Sequence, residues 1–139
     1  MITKEELKQY RSLTNEIENL NEKIVRLRSQ LELASTQIMT GMPHGSDGEV
    51  DKIGKALSIL EEAQKRYYDK LIEITELTLK IEKAIENLTP TERLLIRYRY
   101  MDFMKWEDIC SKLKLSWKQS HNLHKKILRK FEMGVDFTH

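Results

Sequence analysis

The chain has little of several things, and each scarcity excludes something. It carries one cysteine, Cys110, so no internal disulfide can form and no CxxC pair is available for zinc. Its 2 prolines and 5 glycines in 139 residues leave few places where a helix must break. No apolar run approaches the roughly 20 residues that cross a bilayer, and the start, MITKEELKQY, lacks the apolar stretch of a signal peptide. A cytoplasmic location in a reducing compartment is expected. Also lacking are a Gly-rich phosphate loop, paired carboxylates in an apolar setting and a Cys–His arrangement with a plausible pocket, so an enzyme is not expected and no cofactor is implied. A composition of 40% hydrophobic and 33% charged residues suits one or two small helical units.

The net charge of +2 hides an asymmetry. Residues 1–88 hold 13 Lys or Arg against 16 Asp or Glu, a net of −3, whereas residues 89–139 hold 11 against 6, a net of +5. Three of the four histidines also lie in the second part. Charge separated in this way points to a polyanionic partner for the basic end.

Two apolar series alternate steps of three and four. The first runs Tyr10, Leu13, Ile17, Leu20, Ile24, Leu27, Leu31, Ala34, Ile38, and the second Val50, Ile53, Leu57, Leu60, Gln64, Tyr67, Leu71, Ile74, Thr78, Ile81, Ile85, Leu88. Sustained heptads of this kind predict two coiled-coil helices. Thr3 with Glu6 and Ser46 with Glu49 fit capping boxes at the two helix starts, and the stretch TGMPHGSDG between them predicts a reversal loop at 40–48. Residues 1–88 are therefore expected to form an antiparallel coiled-coil hairpin for self-association or a polymerase contact. The polar Gln64 and Thr78 interrupt the second seam and are either register-setting or simply tolerated. His44, Asp47 and Asp51 near the loop are too few to argue for a metal against the turn the glycines already explain.

A new start signal comes after Leu88: Thr89 as cap, Pro90 at the first helical position and Glu92 for the capping box. TERLLIRYRYM places Leu94, Leu95, Tyr98 and Met101 on one side, and KWEDICSKL places Trp106, Ile109, Cys110 and Leu113 on another inward stripe. The alternation Arg97, Tyr98, Arg99, Tyr100 reads as core tyrosines flanked by surface arginines, since adjacent helical residues point apart. After the two-residue turn Lys114–Leu115, Ser116 and Gln119 form another capping box. Three short helices with a tight turn before the last describe a helix-turn-helix, and residues 89–139 are expected to fold alone as a DNA-binding domain. In the last helix, Leu123, Ile127, Leu128 and Phe131 face inward, while Lys118, Asn122, Lys125 and Arg129 share the outer face at i, i+4, i+7 and i+11. An Asn near a helix N-terminus can pair both edges of an adenine, Lys can donate to guanine, and later cations neutralise phosphate. Trp117 either packs on the neighbouring helix or contacts a base methyl or sugar. His121 and His124, with no third ligand nearby, are read as groove-facing or surface residues rather than metal ligands.

From Leu88 to Phe131 the sequence resembles region 4 of the sigma-70 family, the domain that reads an upstream promoter element and docks on RNA polymerase. The matching residues are Leu88, Thr89 and Glu92, then Arg97, Arg99 and Tyr100, then Glu107, Asp108 and Ile109, and finally Leu128, Arg129, Lys130 and Phe131. Four positions depart from the family pattern: Cys110 replaces a small alanine, Lys114 a turn glycine, Trp117 an Arg or other polar residue, and Ser120 a packing Val or Ile. The resemblance implies base-reading positions at Trp117, Lys118, His121 and Asn122. Nothing resembles the sigma region that melts promoters. The whole plan, a coiled hairpin followed by a sigma-like domain, resembles RinA/ArpU-type late-gene activators and related families of Gram-positive phages and prophages.

The expectation is thus an all-α protein that regulates transcription by sequence-specific binding to double-stranded DNA through Trp117, Lys118, Gln119, His121, Asn122, Lys125 and Arg129. Host RNA polymerase and a second copy of the chain, forming a dimer, are the expected partners, with no membrane, metal or cofactor. The rival readings are a phage DNA-packaging subunit of the small-terminase kind and a coiled-coil adaptor that never meets DNA.

Overall fold

The computed structural model describes residues 2–39 and 46–133, without the side chains of residues 38, 39 and 46–49. Of the expected reversal loop at 40–48, residues 40–45 with His44 lie outside what is described, as do the side chains of Ser46, Asp47 and Glu49; residues 46–48 already belong to the second long helix and are not loop. Every described element is helical: α1 (Lys4–Met39), α2 (Ser46–Ile85), α3 (Pro90–Ile96), a π-helical turn (Arg97–Met101), α4 (Trp106–Leu113) and α5 (Trp117–Met133). No described helix is long and apolar enough to cross a membrane.

Packing divides the chain into two compact units, one of Asn15–Ile72 and one of Met1–Thr14 with Glu73–His139. In the first, Ile24 of α1 is buried with Leu60 and Ala63 of α2, and Leu27, Leu31 and Tyr67 pack against them. Glu16 pairs with Lys70 at 3.1 Å, so low numbers in α1 meet high numbers in α2 and these segments run antiparallel. The heptad residues Val50 and Leu57, expected in the seam, are instead 63% and 46% exposed.

The second unit gathers both ends of the long helices around the short ones. Its core joins Ile2, Leu7 and Leu13 from the start of the chain, Leu77, Ile81 and Ile85 from α2, and Leu88, Leu95, Ile96, Tyr100, Ile109, Ile127 and Phe131 from the chain beyond α2. Side chains as completely buried as Leu7, Ile81, Leu95 and Ile127 each contribute about 1.5–3 kcal/mol by leaving water. The division by packing therefore differs from the division by charge at Leu88. Within the second seam, the Thr78 hydroxyl donates to the Ile74 carbonyl at 2.7 Å, so this polar residue is satisfied by its own helix.

Local signals are realised in detail. The Thr3 N–H donates to Glu6 Oε1 at 3.2 Å and the Glu6 N–H to Thr3 Oγ1 at 3.1 Å. Thr89 and Glu92 exchange the same pair of bonds at 3.0 and 3.3 Å ahead of Pro90. Glu92 is 2% exposed and holds Lys130 of α5 at 3.0 Å, tying the start of α3 to the end of the chain. Burial alone would raise the Glu92 pKa, but the Thr89 N–H and the Lys130 ammonium outweigh it and hold the carboxyl below its ordinary value.

The expected face of TERLLIRYRYM needs correction. Leu94 is 40% exposed, and Leu95, Ile96 and Tyr100 are the buried residues. Leu95 and Ile96 lie three and four positions after the buried Glu92, which sets the inward side and sends Leu94 out. Tyr100, four positions after the buried Ile96, faces inward on the same side, within a π turn closed by Asp102 N–H to Arg97 O at 2.8 Å.

Candidate functional site

α4 and α5 are joined through Lys114, whose φ of 56° and ψ of 42° are left-handed. A glycine adopts this conformation freely, and a lysine does so at some cost. The Ser116 N–H then donates to Gln119 Oε1 at 2.9 Å and the Gln119 N–H to Ser116 Oγ at 3.1 Å, starting α5. The inward side of α5 is Ser120, Ile127 and Phe131, with Leu123 and Leu128 partly buried beside them. Ser120 is fully buried and accepts a hydrogen bond from the Cys110 thiol at 3.2 Å. The half-buried Cys110 of α4 and the buried Ser120 of α5 are therefore hydrogen-bond partners across the two helices.

The opposite side carries Lys118, Asn122, Lys125 and Arg129, all exposed, with the exposed Lys126 beside them. None of these cations is paired with a carboxylate among the described residues. Trp117 is 59% exposed, and its ring lies 4.2 Å from that of His121 in a stacked arrangement. Six of the seven residues expected to contact DNA are thus exposed along one helix. One of the six, Gln119, has its side-chain oxygen engaged by the cap, which takes that acceptor away from an outward contact.

The histidines require correction. His121 is half-buried: its Nδ1–H donates to the Trp117 carbonyl at 2.9 Å, and its ring lies 4.2 Å from Trp106 as well as from Trp117. His124, expected at the surface or groove, turns inward, sharing a 2.5 Å hydrogen bond with the Tyr100 hydroxyl and meeting Trp106 edge-on at 5.0 Å. Burial first, then the positive charges of Lys4, Arg99 and His121, lower its pKa to about 4, so it is a neutral ring at ordinary pH. Burial likewise pushes the Tyr100 hydroxyl up.

The arginines of the RYRY run are used internally. Arg97 grips both oxygens of Glu82 at 2.8 and 2.6 Å. Arg99 donates to the Met104 carbonyl at 3.1 Å and lies 5.0 Å over the Trp106 ring. This creates a succession that the linear sequence did not display: Arg99 on Trp106, Trp106 on His121, His121 on Trp117. Beside it opens a cavity of about 480 Å³ whose rim includes Lys4, Lys8 and Arg11 of α1. Their i, i+4, i+7 spacing marks one helix face and was legible, but it lies in the half whose overall charge is acidic. No protein-family model matches this chain, and no curated protein or solved structure is similar to it.

Proposed function

We propose that the chain is a sequence-specific double-stranded-DNA-binding regulator of transcription, with α4, the Lys114 turn and α5 acting as a helix-turn-helix. The observation that carries this reading is the stripe Lys118, Asn122, Lys125, Arg129, exposed along one side of α5 while the other side is buried. A helix of this kind presents a bidentate amide near its N-terminus for base edges and cations further along for phosphates. The exposed Trp117 adds an apolar surface suited to a thymine methyl or a sugar. The net charge of +5 on residues 89–139 and the resemblance of Leu88–Phe131 to sigma region 4 support the same conclusion. The resemblance of the plan to RinA/ArpU-type activators suggests phage or prophage late genes as targets and host RNA polymerase as a partner, in the cytoplasm of a bacterial host. The reading assigns the chain no catalytic step and no cofactor.

The long helices serve pairing in this reading, as a coiled-coil dimer. Val25, Leu33, Ile59, Tyr68 and Ile72 are exposed apolar residues on the Asn15–Ile72 unit and offer surface for a second copy. The test is selection from a random duplex library with the full chain, followed by titration at several salt concentrations. A selected duplex is expected to bind about 10³-fold or more tighter than a scrambled one, with affinity falling steeply as salt rises. Salt-insensitive or absent binding would favour the adaptor reading.

A further inference from the structure

We infer that the cavity beside Trp106 is a phosphoryl-binding pocket, formed by the first turns of α1 together with Arg99 and with His121 and His124 of α5. It lies wholly within the unit of Met1–Thr14 and Glu73–His139. At about 480 Å³ it has the size of a small-ligand site. Its charged lining is of one sign: Lys4, Lys8, Arg11 and Arg99 contribute to it and no carboxylate does. Like charges gathered around a cavity repel one another and concentrate a positive field that an anion relieves.

Two of these cations are held in place before any ligand arrives. Arg99 is fixed by the Met104 carbonyl and by the Trp106 face, and Arg11 lies 5.3 Å over the Phe103 ring. A guanidinium against an aromatic face keeps its N–H edge available, and that planar fork matches two oxygens of a phosphoryl group. The field has an internal witness in His124, whose proton affinity is lowered by burial and further by Lys4, Arg99 and His121. Several cations around one space call for an anion with more than one charge or several oxygens. Phosphate esters have both, which is why they fit better than a lone carboxylate. The aromatic rings already support cations, so the pocket's chemistry is directed at the phosphoryl group. The inference stands on the cavity and does not depend on the proposed DNA contact of α5.

The two available sources are a small phosphorylated molecule and the backbone of a nucleic acid, and one experiment separates them. The full chain carrying Trp117→Phe leaves Trp106 as its sole indole, and its fluorescence is followed with sodium pyrophosphate and with ATP at constant ionic strength. The expected result is a saturable change with Kd below about 1 mM and a loss of about tenfold or more in affinity in Lys8→Ala/Arg11→Ala. Both replaced residues are exposed, so an unchanged circular dichroism melt verifies that the variant folds. A short duplex that competes with ATP identifies backbone phosphate as the source, whereas ATP bound alongside the duplex identifies a small molecule. No change in Trp106 emission with either anion to about 10 mM, or equal affinity in the double variant, would overturn the inference even if α5 binds DNA.

Discussion

Asn122 and Arg129 lie on the same exposed side of α5 but at different distances from its start, and that difference assigns them different work. Asn122→Ala is expected to cost roughly 1–3 kcal/mol on a selected duplex and little on a scrambled one, because a bidentate base contact is lost. Arg129→Ala should weaken both duplexes alike and make the salt dependence of log K shallower by about one unit, because one fewer counterion is released. Titration of both variants on both duplexes checks the assignment; an Asn122→Ala protein that binds like wild type would move the reading face elsewhere. His124 gives a second residue-scale expectation. Its folded pKa, about 4, lies below its ordinary value of 6.5, so between these values the unfolded chain binds more protons than the folded one. Stability is then complete above pH 6.5 and declines as pH falls towards 4. The two pKa values place the loss at up to about 3 kcal/mol, less what solvent screening removes at a half-buried site. Urea titrations at pH 7 and pH 4.5 should show a smaller difference in His124→Gln than in the wild type.

At the scale of elements, the contact between α4 and α5 turns on two small polar groups. The Cys110 thiol and the buried Ser120 hydroxyl satisfy each other, so replacing one strands or crowds the other. Ser120→Val alone and Cys110→Ala alone are each expected to cost about 1–2 kcal/mol. The double variant, which removes both polar groups and pairs a small residue with a branched one, should cost less than their sum, and a double-mutant cycle by denaturant unfolding measures the coupling. Three of the four capping boxes were readable as residue triplets and appear as reciprocal bonds at Thr3, Thr89 and Ser116. A cap is decided within one turn of chain, which is why local sequence suffices for it. The π turn was not readable in this way. RYRYM has ordinary helical residues, and nothing in its spacing marks the extra residue in its turn.

For the whole molecule, charge and packing draw different lines. The charge balance changes sign at Leu88, but Leu95, Ile96, Ile109 and Ile127 share a core with Leu7, Ile81 and Ile85. A fragment of residues 89–139 would lose all three of the latter partners. Each absent Leu or Ile side chain costs on the order of 2–5 kcal/mol, which together approaches the roughly 5–15 kcal/mol that holds a domain folded. The shared core thus reverses the expectation that residues 89–139 fold alone: the fragment is expected to melt without a cooperative transition, whereas the full chain melts cooperatively, as followed by circular dichroism. A sharp, reversible transition in the fragment would show that α3, α4 and α5 need none of the long helices.

Helical content, the three described capping boxes, the inward residues Ile127 and Phe131 and the outward stripe of α5 all follow from residues near one another in the chain. Each is set by spacing or neighbours within a few turns. Heptad spacing also marked Ile24, Leu27, Leu31, Leu60 and Tyr67, which pack together, but not the exposure of Val50 and Leu57. Only the tertiary structure decided what depends on residues far apart in the chain. That Lys4, Lys8 and Arg11 border the same cavity as Arg99 and His121 needed the start of α1 to return to α5. That His124 is a neutral inward ring needed Tyr100 and Trp106 beside it. Periodicity tells which side of a helix is dry, but the fold decides which distant groups meet there, and their mutual desolvation and charge set the chemistry.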